Sequence, residues 1–289
     1  MLYPSDSNTL NALINLLDEP DETAFGLIRS QIILRGIDAL APLEIAIENE
    51  LNPFIQARIQ SIIKQLNQEN LIIELSGWVR AGSSDLLKGF ILVTKAEFPS
   101  LNDKEIVIMI EQLKMDIWIE LHENLTAFEN VKVMNRILFD IHHFHGKINE
   151  TTHTANNYIN FLLENKNGSP LSLGILFTIL AQKLGLPVFG VNLPQHFILA
   201  YLTATGIENP GESDVLFYIN PFNKGVVFTR REIELFIQKL KVAPETSFFA
   251  PCSNIEIIRK LINNLILSYD QLANTEKVEY LETLLVAFE

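Results

Sequence analysis

Four apolar or β-branched runs of strand length lie within one stretch of the chain, at Val188 to Asn192, His196 to Leu202, Val215 to Ile219 and Gly225 to Thr229. Gly, Pro and Asn bound them, which predicts neighbouring strands of an antiparallel sheet. Elsewhere the apolar residues recur at the helical period. The fold class that follows is α+β and mostly helical, with one small antiparallel sheet set among helices.

From Asn8 to about Leu66 the helical period runs through Leu10, Leu13, Ile14 and Leu17, then Ile28, Ile32 and Ile33, then Leu43 and Ile47, then Ile55, Ile59, Ile62 and Ile63. Turn signals at Asp18-Glu-Pro20-Asp21, Arg35-Gly36 and Asn52-Pro53 divide this region into short helices. Pro20 and Pro53 stand 33 apart at expected helix starts, with Ala24 and Ala57 in matching places, the spacing of a duplicated HEAT-like hairpin. An ordinary helical bundle with Pro in its first turns fits the same residues. Further helices are expected at Leu71 to Val79, Leu86 to Thr94, Lys104 to Leu121, Val131 to His143 and Ser169 to Leu184. After the strands, two Ser/Thr-x-x-Glu capping boxes, Thr229 to Glu232 and Ser253 to Glu256, each announce a helix, and a last one is expected from Asn274 to Phe288. The divisions that follow are a helical region at 1–70, a core at 71–248 and a helical tail at 249–289.

Composition excludes several functions. The 289 residues carry 22 Lys plus Arg against 35 Asp plus Glu, a net charge of −13, and no basic run is longer than two residues, as at Arg230-Arg231. Nucleic acid and anionic membrane are therefore not expected partners. One cysteine, Cys252, excludes an internal disulfide framework and a multi-thiolate zinc site, and a reducing, cytoplasmic location is the expectation. The first residues lack a basic segment followed by an apolar one, and the most apolar stretch, Leu171 to Ala181, is 11 residues long, so neither signal peptide nor membrane span is expected.

Three segments carry the question of function: Gly168-Ser-Pro-Leu-Ser-Leu173 opening a helix that ends at Leu184-Gly-Leu-Pro187, then Pro194-Gln-His-Phe197, then Tyr218-Ile-Asn-Pro-Phe222. In this order they resemble the transglutaminase-like superfamily, whose papain-like core runs helix with nucleophilic Cys, strand with His, strand with Asp or Asn. The resemblance is closest to its SirB-type branch, in which a helical N-terminal region precedes the core and a tetratricopeptide-like tail follows it. Trp78, Asp85-Leu-Leu-Lys-Gly89, Phe98-Pro99, Asn156-Asn-Tyr158 and Asn263-Asn264-Leu265 also look like that branch. In the tail, Leu265-x-x-x-Tyr269 followed by Leu272-Ala273 resembles the first helix and turn of a tetratricopeptide unit, with Ile266 where that pattern has Gly.

The resemblance implies a thiolate at a helix N-terminus, where the dipole and free N–H groups lower its pKa, with a His as base held by a carboxylate or amide. The superfamily usually has its Cys 15 residues before the Gly of Gly-Ile-Pro; counted back from Gly185, that position is Pro170, which has no nucleophile. His196 matches the family His and Asn220 the third member, and Asn orients an imidazole in papain-like proteases. What is implied is a catalytically degenerate, cofactor-free core that binds a peptide or protein, either at Pro170, Ser172, His196 and Asn220 or on the flanking helices.

The alternative is a hydrolase or acyl transferase using Ser172 or Ser169 with His196 and Asn220. Against it, Ser169 before Pro170 is the expected N-cap and first-turn pair of a helix. Cys252 precedes the last capping box, an environment that lowers a thiol pKa, although its place after the strands reads as packing. His142, His143, His145 and His153 fall within 12 residues and raise a metal site as a third reading, yet they sit where a helix stops at Gly146, a place His favours for the free carbonyls alone.

Overall fold

The computed structural model describes residues 4–146, 154–194, 196–203 and 214–289. It separates into two units, Met1–Ser76 and Gly77–Glu289.

In the first unit α1 (Pro4–Ile14) is followed by α2 (Glu22–Ile33), α3 (Leu40–Asn49) and the opening turns of α4 (Pro53–Arg80). Leu10, Leu17, Ile32, Leu43, Ile59, Ile62 and Leu66 form its core. Arg58 is buried within this unit. Its guanidinium donates to the Leu17 and Glu19 carbonyls at 2.9 and 2.6 Å, pairs with Glu22 and lies 3.8 Å from the centre of the Phe25 ring. Two carbonyls of the turn after α1 are thus answered by a charge from α4.

Two expectations need correcting here. Pro20 does not open a helix: Asp21 is the N-cap of α2, accepting the Thr23 and Ala24 N–H groups, so Pro20 lies outside, whereas Pro53 is the first residue of α4. The break expected between Leu66 and Leu71 is also absent. α4 runs unbroken through the polar stretch Lys64 to Asn70, because straight-chain Lys, Gln and Glu are good helix formers and this stretch contains neither Gly nor Pro.

The second unit is built on α9 (Pro170–Lys183), whose residues from Leu171 to Ala181 are all buried. A helix apolar on every side belongs in the interior. Around it stand α5 (Leu86–Lys95), α6 (Asp103–Trp118) and α8 (Ile159–Asn165). α7 (Ala127–Asn135) continues into a wider π-helical turn, Arg136–Ile141, rather than as the single helix expected over Val131 to His143. Two short strands, β1 (His145–Gly146) and β2 (Asn167–Gly168), pair in parallel.

The main sheet is an antiparallel meander in chain order, β3 (Val188–Leu193), β4 (His196–Leu202), β5 (Val215–Asn220) and β6 (Val226–Phe228). Side chains of a strand alternate between faces. On β4 the Phe197 ring lies against Gly174 of α9, where an added Cβ would come within 2.6 Å of it, so that face of the sheet meets α9. Ile198 and Ala200 point the other way, into a cluster with Ile233 and Ile237 of α10 (Arg230–Leu240) and with Phe249. α11 (Asn254–Gln271) and α12 (Thr275–Leu285) close the chain, and α11 packs on α5. Tyr269 of α11 joins the Tyr158 hydroxyl at 3.0 Å and donates to Glu97, which also pairs with Lys277 of α12. Among the described residues no helix is long and apolar enough to cross a membrane.

Candidate functional site

The start of α9 is a buried helix end, and its free N–H groups need partners. Ser169 is the N-cap: its Oγ accepts the Ser172 N–H at 3.1 Å, and the Ser172 Oγ accepts the Ser169 N–H at 2.9 Å. A hydroxyl has one proton to give. Ser169 gives its own to Asn157 Oδ1 at 2.7 Å, and Ser172 gives its own to the Asn156 carbonyl at 2.6 Å. Both asparagines and both serines are buried, Ser172 completely. Pro170 between them occupies the first helical position, where its missing N–H costs nothing.

The structure does not bring these hydroxyls to His196. That residue opens β4 with the parity of Ile198 and Ala200, on the face turned away from α9. It is exposed, and its ring meets Phe236 of α10 edge-on, centroids 4.8 Å apart. Its carbonyl accepts from Lys260 of α11 at 3.4 Å, an amine whose pKa burial lowers. Asn220 ends β5 and accepts the Asn223 N–H at 3.3 Å, capping the turn at Pro221–Asn223. That turn packs against α9 and against β1.

Cys252 carries no activated thiol. Burial first, then the Glu256 carboxylate, pushes it up to about 12, against the lowering expected from its place before α11. Its N–H bonds the Gly190 carbonyl at 2.8 Å, fixing the chain to β3. The histidines separate likewise: His142 pairs with Asp116 of α6, and His145 Nδ1 meets the His143 carbonyl. His153 lies outside the described residues. Among the described residues no group of three or more His, Cys, Asp or Glu is placed to hold a metal ion.

Two further residues escaped sequence reasoning. Asn135, at the junction of α7 and the π turn, donates to the Gly225 carbonyl at 2.8 Å. Gly225 has a φ of +68°, and an added Cβ would collide with the Asn135 amide, so the loop after Asn220 closes only with glycine there. Lys260 gave no signal, being one cation among many on helices.

A sequence model described as the transglutaminase-like superfamily matches residues 104–263, just over half of the chain. Among curated proteins, human F-box only protein 21 is 27% identical over 133 residues, 46% of this chain and 20% of that protein. A UPF0162 protein of Xylella fastidiosa is 26% identical over 145 residues, 48% of this chain and 47% of its own length. The UPF0162 protein YchA of Escherichia coli is 33% identical over 113 residues, 37% and 38% of the two chains. The chain thus spans about a fifth of the first of these relatives and half or less of the others. No solved structure matches.

Proposed function

The chain belongs to the transglutaminase-like superfamily, and from that premise we propose that it is a non-catalytic member whose work is to hold a peptide or protein. The observation that carries this reading is the fate of the hydroxyl protons at the start of α9. Nucleophilic catalysis there needs a group whose proton passes to a neighbouring base. The position counted for the nucleophile is Pro170, and the serines on either side commit their protons to Asn157 and Asn156. A Ser172–His196 pair would require breaking a sealed network and reaching across the sheet.

Binding then falls to surfaces rather than to an enclosed cleft. The exposed face where His196 meets Phe236 and the outer side of α10 are two parts of the core open to a partner. Assignment to the SirB-type branch, and the tetratricopeptide-like reading of the tail, rest on the quoted motifs and on the helix pair α11–α12. A cytoplasmic location rests on the single cysteine.

The test is to treat the purified chain with a fluorophosphonate, which labels activated serines, and to weigh the intact protein. No adduct is expected. A stoichiometric adduct on Ser169 or Ser172 that disappears in His196→Ala would restore the hydrolase.

A further inference from the structure

One of the few adjacent pairs of basic residues in this acidic chain, Arg230-Arg231, opens α10 and stands at one end of a groove of about 620 Å3. One wall is the outer side of the helix and the other is the segment that follows it, through Val242 and Pro244 to Phe249. Leu235 is half exposed in the first wall and Val242 is exposed in the second. Phe249 is buried, and the Arg230 guanidinium lies 4.2 Å from the centre of its ring while pairing with Glu234 at 2.9 Å. Among the described residues Glu234 is the one carboxylate in the lining.

Arg231 and Lys241 mark the two ends of the groove. Both are exposed, and no carboxylate among the described residues pairs with either. Ten helical residues separate them, about 15 Å along the axis. That is the reach of about four to five residues of extended chain. An apolar floor with a cation at each end fits a segment that carries carboxylates flanking apolar side chains, each charge lying where an isolated cation awaits it.

We infer that the groove beside α10 is a docking site for an acidic, apolar-bearing peptide segment of a partner protein, held by Arg231 and Lys241. The inference rests on the binding reading above and names its surface and its ligand chemistry. A long polyanion such as RNA, or a phospholipid surface, fits less well. Beyond the groove either would run onto a molecule with a net charge of −13, and neither fills a concave apolar floor.

The experiment is a selection of phage-displayed random dodecapeptides on the purified full chain, and in parallel on the double variant Arg231→Glu, Lys241→Glu. Winners are measured by fluorescence anisotropy at low and high salt. Expected are peptides rich in Asp or Glu beside Leu or Phe, bound about tenfold or more weakly by the double variant and weakened by salt. Arg231→Gln with Lys241→Gln, which introduces no new charge, should give a smaller loss in the same direction, and circular dichroism checks that both variants fold. Winners that lack acidic residues, or that bind the variants undiminished, overturn the inference while leaving a peptide binder. No enrichment on any form overturns the inference and removes the support for the binding reading with it. Charge-dependent binding of polyuridylate or of phosphatidylserine vesicles, without acidic peptides, overturns it in favour of a phosphate ligand.

Discussion

The start of α9 and the start of β4 carry the residues that the resemblance would join in one active site, and the two places are built in opposite ways. At the first, the Ser169, Ser172 and Asn157 side chains and the Asn156 carbonyl form a buried hydrogen-bond network in which each serine proton has a recipient. At the second, His196 is exposed and touches one aromatic ring. The difference teaches that polar residues at a buried helix start can be there as structure. A helix N-terminus placed inside a core must have its N–H groups satisfied whether or not chemistry happens there.

The largest effect expected from this contrast is on stability. Ser172→Ala removes the Oγ that accepts the Ser169 N–H and donates to the Asn156 carbonyl, leaving those two groups only their own 3.2 Å bond in a dry site, which should cost about 2 to 3 kcal/mol in urea unfolding. An equal loss in His196→Ala would break the comparison, since removing an exposed edge-on ring contact should cost about 1 kcal/mol or less. Next in size, Gly174→Ala forces a methyl against the Phe197 ring and should destabilise by about 2 kcal/mol. A neutral result there would mean that the sheet does not lie on α9 as described.

A smaller effect concerns pH and sharpens the same contrast between sealed and open polar groups. With the Cys252 thiol pushed up to about 12 from an ordinary 9.0, the fold favours the protonated form. Its contribution to stability is whole below the unfolded value and is lost as the pH rises through the folded one. Wild type should therefore lose stability faster than Cys252→Ala between pH about 9 and about 11. Parallel slopes would contradict it. Native protein should also react with a disulfide reagent at mildly alkaline pH far more slowly than unfolded protein, because the thiolate is scarce.

Much of the fold was legible because the signals were local. The four strands fall where β-branched runs were bounded by Gly, Pro and Asn, and Ser169-Pro170 opens its helix as the N-cap rule requires. What was illegible depended on distance or on face. The run from His196 to Leu202 is apolar on both faces, so periodicity alone gave no sign of which side would meet α9 or on which side His196 would open the strand. Asn156 and Asn157 were noticed as a motif, but their partners lie 12 and more residues along the chain. Arg58 reaches carbonyls about forty positions away, a contact with no local trace. The polar middle of α4 read as a break between helices because it carries no apolar stripe.

The central claim, that the family positions are not assembled into one site, is tested most directly by a double-mutant cycle of Ser172→Ala and His196→Ala, read as unfolding free energies. The account predicts additivity within about 0.5 kcal/mol, as for residues that share no partner. A coupling energy above about 1 kcal/mol would contradict it, by showing that hydroxyl and imidazole act as a pair.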